Sequence, residues 1–464
     1  MDFIIPLLFI AYLSVLIGIG IYFNRKIKNS NDYLIGNHAT NYWVTAIAAQ
    51  ASDMGAWLFL GFVAAIYTNG IFEFWAALGL IFFMFLTWQF IAPKLRQSTT
   101  TEASLPEFFE SHINDTSGTI RVVASAISIV FFGFYISSNL VGLGLLFESA
   151  FQIDYHLGIC LGLGITVLYT LIGGFAAIAW CDLIQGIYLL VMLLIVPLTA
   201  FVSLGSFQTI IDAAVANNVS LSLISSEKSL LSALLLAAGW GLGYFGQPHV
   251  LTFFMGIDDP KKIKYAKYVG MSWQILVLSA AASVGMIGIA FFPYPIANKE
   301  LLFMSMTKAL FHPIFVGLIL CAILAAVLTT LDSLVLISGS TFANDIYARL
   351  NKNVSGKHII LISRLASITI SLVATWYAWD GSQTIYNLVN YAWSGLGSSF
   401  GPLVIMCLYS PYKVTKNAAL AGLITGALVS GFWPYMGTSV LPLIPGFFSS
   451  LSIIALISRL EHGK

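Results

Sequence analysis

Three aspartates stand inside long apolar stretches of the sequence. Asp53 lies in AAQASDMGAWLFLGF, Asp182 follows AIAWC, and Asp332 lies in AAVLTTLDSLVLISGS. Ionisable residues are costly at membrane depth and usually serve ion or proton pathways there. Asp182 could also be an ordinary helix N-cap near the membrane surface, and Glu73, which opens its stretch in GIFEFW, is expected at the interface. The three aspartates are therefore candidate cation-binding residues.

The stretch around Asp332 also carries small and hydroxyl residues at helical spacing. Those that share one helix face are Ala326, Thr329, Thr330 and Ser333, since residues three or four apart lie on the same side. Carbonyl and hydroxyl oxygens are the kind of ligand that hard cations prefer. The same residue types are ordinary where membrane helices pack, so helix packing stays open as the alternative.

Composition indicates what kind of protein positions these residues. Of the 464 residues, 58% are hydrophobic and 9% are charged, against about 25% charged in a typical soluble domain. An apolar run of about 20 residues is long enough to cross a bilayer. The sequence predicts thirteen such spans, at 3–23, 42–68, 71–93, 122–149, 156–178, 182–204, 230–255, 267–293, 311–345, 359–379, 383–409, 415–437 and 440–459.

Two of these spans contain helix-breaking residues. ASDMGAW, residues 51–57, interrupts the second span, and GWGLGYFGQP, residues 239–248, places four glycines and Pro248 in the seventh. Such breaks persist in lipid only where the freed backbone faces protein, an ion or a water-filled cavity. Interrupted helices at corresponding positions of two halves indicate the binding site of a transporter.

The breaks stand five spans apart, which predicts an all-α membrane protein with two inverted repeats of five spans each. The first repeat is expected at 42–204 and the second at 230–409, each with a broken first helix. A leading helix at 2–23 and two trailing helices at 415–459 complete a single transport domain, 1–464.

Lysine and arginine indicate the orientation, because cytoplasmic loops are enriched in them. With the N-terminus outside, all but three of the 21 Lys and Arg residues fall on the inner side; the three are Lys228, Lys299 and Lys308. The sequence therefore predicts a multi-pass protein of the plasma (inner) membrane, with the N-terminus outside and the C-terminus cytoplasmic.

Five motifs resemble those of the sodium/solute symporter family, and most of all its sodium/proline symporter branch. In chain order they are ASDMGAWLFLGF, TLIGGFAAIAWCD, GWGLGYFGQPHVL, AAVLTTLDSLVLISGSTFANDIY and YAWSGLGSSFGPLVI. The resemblance runs over roughly residues 5–440. It implies a leucine-transporter-like fold, sodium as the coupling ion and no organic cofactor.

The resemblance also implies a sodium site between the second and ninth spans. Its ligands would be the main-chain carbonyls of Ala51, Met54 and Ala326 and the side-chain hydroxyls of Thr329 and Thr330. The sequence SDMG would let the helix unwind, so that carbonyls turn toward the ion and the ion offsets their lost hydrogen bonds.

Asp182, Asp332 and Ser333 are similar to a second position that the family links to ion coupling. Two adjacent carboxylates could hold a cation or share a proton, so a second sodium, a proton and a structural hydrogen bond all stay open. Asp53 is expected to support the unwound backbone, or to favour cations by its charge, and not to ligate sodium directly.

Trp240, Tyr244 and Pro248 match family positions tied to proline binding, and Tyr135 and Trp393 are expected in the wall of the same site. Aromatic faces and exposed helix ends suit a small zwitterion. Because the chain has 11 Trp and 20 Tyr, aromatic packing is the alternative for these residues once the resemblance is set aside.

Two residues depart from the pattern of the branch. Gly55 stands where the branch typically has a serine, and Phe253 replaces a basic residue. The first change could weaken the cation site or shift its selectivity, and the second could alter coupling or gating. Substrates other than proline therefore stay open.

The sequence thus predicts sodium-coupled secondary active uptake of a small amino acid, with L-proline first, by alternating access. The open alternatives are another amino acid, a betaine, pantothenate or a sugar acid as substrate, and coupling to protons or lithium. A membrane enzyme is not expected, because the seven histidines are scattered. A transporter-derived sensor would be expected to carry a signalling domain.

Overall fold

The computed structural model describes residues 3–25, 30–36, 39–99, 102–225, 228–351 and 354–462. Within these ranges eleven helices are long and apolar enough to cross a membrane, and one bent pair makes a twelfth. They are α1 (Ile4–Asn24), α2 (Tyr42–Asn69), α3 (Ile71–Ser98), α4 (Thr119–Phe151), α5 (Tyr155–Leu204), α6 (Leu230–Gly246 followed by Pro248–Met255), α7 (Pro260–Phe291), α8 (Pro313–Leu350), α9 (Gly356–Ala378), α10 (Ile385–Tyr409), α11 (Lys416–Met436) and α12 (Leu443–Glu461). Shorter helices lie at Ser30–Ile35, Leu105–Ile113, Phe207–Ala216 and Leu302–Leu310.

Polar side chains mark where several of these helices begin. Asn41 accepts the backbone N–H of Val44 at the start of α2, and Thr384 accepts that of Asn387 at the start of α10. Such caps satisfy N–H groups that the first helical turn leaves without a partner. The helices therefore start at polar positions that bound the apolar runs.

Helix α5 crosses the membrane twice. Its 50 residues are interrupted at Gly174, where φ is 64° and ψ is −173°, and a continuous helix of that length would be more than twice as long as a hydrocarbon core of about 30 Å. Tyr155 donates to the carbonyl of Ala378 at the end of α9, and Tyr188 donates to that of Leu318 near the start of α8. The end of α9 and the start of α8 lie at the same end of the bundle, because α8 and α9 are successive antiparallel helices. Tyr155 and Tyr188 therefore lie at that same end, and α5 has crossed the bundle and come back between them. The described residues thus give eleven apolar helices, or twelve with the bent pair, and about thirteen crossings when the two halves of α5 are counted separately.

Charged side chains gather at the two ends of the helical bundle. Arg121 lies 2.7 Å from Asp345, and Lys416 lies 3.4 Å from Asp115, both at one end. We call the end that holds Arg96, Arg121, Lys262, Arg349 and Lys416 the basic end. At the opposite end, Lys228 donates to the carbonyl of Asn69, and Lys308 to the hydroxyl of Ser149.

Helices α2 and α8 form the centre of the bundle. The most apolar 18-residue window of α2 is wholly buried, and that of α8 is 83% buried, against 17% in α1. A helix that is apolar all round belongs inside a bundle. The two helices that carry the expected cation ligands are therefore placed side by side, shielded from lipid. The division into repeats at 42–204 and 230–409 stays a prediction.

Candidate functional site

Helix α2 breaks at Gly55, in the middle of the buried core. The residue has φ 49° and ψ −156°, a conformation that glycine adopts readily and that strains any residue with a Cβ. A Cβ built here would lie 2.6 Å from Oδ1 of Asn139 and 3.0 Å from Oγ1 of Thr330. The predicted interruption at 51–57 is confirmed, and the departure Gly55 is the residue that this backbone requires.

One face of α4 satisfies the backbone groups next to the break. Tyr135 donates its hydroxyl to the carbonyl of Asp53 at 2.9 Å, and Oδ1 of Asn139 accepts the N–H of Ala56 at 3.1 Å. Residues 135 and 139 are one helical turn apart, so both side chains point to the same neighbour. From the sequence, the bound ion was expected to offset the hydrogen bonds lost at the break. For the carbonyl of Asp53 and the N–H of Ala56, protein side chains replace those bonds instead. Asn139 was missed.

The carboxylate of Asp53 connects the first break to the second. Its Oδ2 accepts the hydroxyl of Tyr244 at 2.6 Å, and that hydroxyl accepts a hydrogen bond from Gln274 at 2.8 Å. Its Oδ1 has no hydrogen-bond partner among the described residues and lies 3.6 Å from Nε2 of His249. His249 is fully buried. Sequence reasoning gave it no role, although it follows Pro248 directly in the motif GQPHVL.

Four of the five residues expected to bind sodium come together between α2 and α8. The hydroxyl of Thr329 lies 3.0 Å from the carbonyl oxygen of Ala51 and 2.8 Å from that of Ala326, and Oγ1 of Thr330 lies 3.5 Å from the latter. The carbonyl of Met54 instead accepts the N–H of Trp57. The four are fully buried, and the oxygen donors fit a hard monovalent cation.

Asp182 and Asp332 form a second group of buried oxygens between α5 and α8. Tyr169 donates to Oδ2 of Asp332 at 2.6 Å. The other three carboxylate oxygens and the hydroxyl of Ser333 make no hydrogen bond of normal geometry among the described residues. The hydroxyl of Ser333 and the two carboxyl groups are nevertheless close enough to interact electrostatically. Buried acids of this kind are stable only when protonated or beside a cation. Tyr169 was not anticipated.

Aromatic side chains enclose a small cavity beside the break in α2. The residues that line it are Asp53, Met54, Trp57, Leu80, Tyr135, Trp240, Val389 and Trp393. Its volume of about 10 Å³ is about that of a single water position, so the side chains of its wall must separate to admit an amino acid. The indole of Trp57 contacts that of Trp240 at 4.9 Å between centroids. Trp57 was missed, although ASDMGAW ends on it.

The structure brings Trp240, Tyr135 and Trp393 together as expected, while the other two candidates lie differently. Tyr244 packs edge-on against Trp393 at 5.1 Å, with its hydroxyl on Asp53. Pro248 begins the second half of α6 and lines a separate cavity toward the basic end.

The second break is held by α10. After a tight helical turn at Leu242–Gly246, Gln247 is extended and the helix axis bends by 46°. Trp393 donates to the carbonyl of Trp240 at 2.7 Å, and Gln247 donates to that of Trp393 at 3.1 Å. A Cβ at Gly243 would lie 2.0 Å from the indole nitrogen of Trp393. Glycine is needed for this contact, and the predicted break at 239–248 is confirmed.

Comparison with known proteins agrees with this arrangement. The model of the sodium:solute symporter family matches residues 33–426. The chain belongs to this family. The high-affinity proline transporter PutP of Bacillus subtilis (strain 168) is 36% identical over 453 residues, covering 96% of this chain and 95% of that protein. The sodium/proline symporter of Staphylococcus aureus (strain JH9) is 34% identical, covering 97% and 91%. As a member of the family the chain is a membrane transporter and not an enzyme.

Solved structures of proteins with low sequence identity to this chain share its fold. A Na⁺-coupled sialic acid symporter in an outward-open state has a TM-score of 0.83 at 18% identity, covering 98% of both chains. MhsT in complex with L-phenylalanine has a TM-score of 0.59 at 14% identity, covering 91% of this chain and 98% of MhsT. The predicted leucine-transporter-like fold class is confirmed.

Proposed function

We propose that this member of the sodium:solute symporter family takes up a small amino acid, with L-proline first, driven by the inward flow of sodium. The observation that carries the proposal is the meeting of both broken helices at one small aromatic cavity, directly beside buried oxygen ligands. The full-length similarity to relatives named proline transporter and sodium/proline symporter supports the substrate. Each net charge carried inward contributes about 2.3 kcal/mol per 100 mV.

The sodium ion would bind between α2 and α8. Its ligands in this proposal are the carbonyls of Ala51 and Ala326 and the hydroxyls of Thr329 and Thr330. The carbonyl of Met54 would join them through the lone pair that the N–H of Trp57 does not use. An ion there would join the first half of α2 to α8 and so hold the unwound segment that presents Asp53 and Trp57 to the cavity. Binding of either species would then favour the other by the same factor, because coupling between two sites is reciprocal.

Asp182, Asp332 and Ser333 would form the second coupling position. Their partnerless oxygens are accounted for by either a second cation or a shared proton, and Tyr169 would orient the pair. Asp53 would act in the substrate cavity and between the two breaks, since its side chain bonds to Tyr244 and not to the oxygen cluster around Thr329.

The basic end would face the cytoplasm, with the N-terminus of the chain outside and the C-terminus inside the plasma membrane. The support is the sorting of cations in the bundle, because Lys and Arg are enriched in cytoplasmic loops. Phe9 of α1 packs on Phe147 and Phe151 at the end of α4, and α4 begins beside Arg121 at the basic end. The first half of α1 therefore lies at the opposite end.

Reconstituted proteoliposomes test the proposal. Radiolabelled proline should accumulate when an inward sodium gradient is imposed, and unlabelled solutes that bind the same site should compete with it. Accumulation that is equal with sodium and with potassium outside would refute sodium coupling. Accumulation that follows an imposed proton gradient would favour proton coupling, and stronger competition by a betaine, pantothenate or sugar acid than by proline would replace the substrate.

A further inference from the structure

Three indole rings line the aromatic cavity, and one of them lacks a hydrogen-bond partner. Trp240 donates its Nε1–H to the hydroxyl of Tyr386 at 3.1 Å, and Trp393 donates its own to the carbonyl of Trp240 at 2.7 Å. Nε1 of Trp57 has no partner among the described residues, although the side chain is only 3% exposed. A buried indole N–H normally finds an acceptor, so this donor requires an explanation.

The break in α2 places Trp57 in the wall of the cavity. Trp57 follows Gly55 by two residues, and its ring stacks on Phe62 at 4.8 Å and packs at a tilt of 42° against Trp240 at 4.9 Å. These contacts fix the plane of the indole, so the N–H is not free to swing toward a protein acceptor. Trp88, whose Nε1 also lacks a partner, packs on Phe254 and does not line this cavity.

Among the described residues, the wall of the cavity carries negative charge and no positive charge. Among the eight described residues that line it, Asp53 carries the only formal charge, and neither lysine nor arginine contributes. The hydroxyl of Tyr135 is already committed to the carbonyl of Asp53. A zwitterion that brings its ammonium group toward Asp53 therefore meets no cationic side chain for its carboxylate, and the side-chain donors that the wall offers to that group are neutral.

We propose that Trp57 is a specificity-determining residue, whose indole N–H binds the carboxylate of an α-amino acid substrate while Asp53 faces its ammonium group. The proposal rests on the proposed function and names the side chain that reads the carboxylate. Acceptor and donor stand on either side of the break at Gly55, so the unwound segment presents both ends of a zwitterion with their complements. Cation binding that fixes the break would fix this pair as well.

Trp57→Phe tests the donor, because phenylalanine keeps a ring against Phe62 and Trp240 and removes only the N–H. Binding of proline and of prolinamide, which lacks the carboxylate but keeps the ring amine, is measured on the purified protein in saturating sodium. Loss of a hydrogen bond to a charged group should weaken proline binding roughly 10- to 100-fold. Prolinamide offers only a neutral carbonyl to the same N–H, so its binding should weaken less, by roughly two- to tenfold, and the preference for proline should narrow.

Two further variants separate recognition from structure. Trp57→His retains a ring N–H and should keep much of the preference for proline. Trp240→Phe removes an N–H that already has a protein acceptor, Tyr386, and should leave the ratio of the two affinities unchanged even where both affinities fall.

The inference is overturned when Trp57→Phe weakens proline and prolinamide in parallel, or weakens neither. Should that variant fail to insert in the membrane, the wild-type protein still decides, since equal affinity for proline and prolinamide would contradict a carboxylate-reading donor. These outcomes differ from failure of the proposed function, which would be wild-type protein that shows no sodium-driven proline uptake at all.

Discussion

Gly55→Ala perturbs the centre of the site with the smallest possible side chain. The backbone conformation at Gly55 costs a residue with a Cβ about 1–3 kcal/mol. The added atom would also stand 2.6 Å from Oδ1 of Asn139, so that side chain must move and leave the N–H of Ala56 without its acceptor, at a further cost of about 1–3 kcal/mol. Together, about 2–6 kcal/mol would destabilise the backbone conformation that turns the carbonyls of α2 toward the cation site.

Thermal unfolding in detergent and sodium-dependent proline uptake are the assays. We expect Gly55→Ala to lower the melting temperature by several degrees and to raise the sodium half-saturation at least tenfold. The matched control is Gly133→Ala in α4, where a Cβ would meet nothing within 4 Å and alanine favours the helix by up to about 1 kcal/mol. If the two variants behave alike in both assays, the break does not depend on the conformation of Gly55.

Three further changes test separate parts of the structure. Thr330→Ala removes one proposed ligand and should raise the sodium half-saturation while protein levels stay normal; an unchanged half-saturation would remove Thr330 from the site, and Thr330→Ser is the matched control. Tyr244→Phe leaves Oδ2 of Asp53 without its donor, a loss of about 1–3 kcal/mol, and should weaken sodium-dependent proline binding about tenfold or more; wild-type binding would contradict the link between the breaks. Burial raises the pKa of Glu300, which accepts the N–H of Ile385 at 2.8 Å outside the membrane, from 4.5 to about 7. Because the folded protein then holds this proton more tightly than the unfolded chain, stability should fall as the pH rises from about 5 to about 7; Glu300→Gln should reduce that slope in melting temperature, and an identical slope would contradict it.

The fold could be predicted because its signals are local. Apolar length fixed the crossings, including the two that share α5, and glycine and proline fixed the two breaks. The spacing of Ala326, Thr329 and Thr330 puts these three residues on one helix face, and the structure turns that face toward Ala51. Each of these properties belongs to a single segment and needs no knowledge of which segments become neighbours.

The missed residues depend on tertiary contacts. Asn139, which was missed, and Tyr135, which was expected only in the cavity wall, serve the break because α4 lies against α2, and nothing within α4 marks that face. His249 and Tyr169 matter because they lie beside Asp53 and Asp332, which are 196 and 163 positions away along the chain. Pro248 matched a binding motif, yet the bend of α6 carries it toward the basic end. The sequence alone does not distinguish a proline that begins a helix from one that lines a cavity.

The central claim is that two interrupted helices hold a cation and a small zwitterion as neighbours, so that each stabilises the other. Calorimetry on the purified protein tests this directly, by measuring the proline Kd with and without sodium and the sodium Kd with and without proline. The structure predicts that sodium lowers the proline Kd and that proline lowers the sodium Kd by the same factor, because the coupling is reciprocal. A proline Kd that is identical in sodium and in potassium would contradict it.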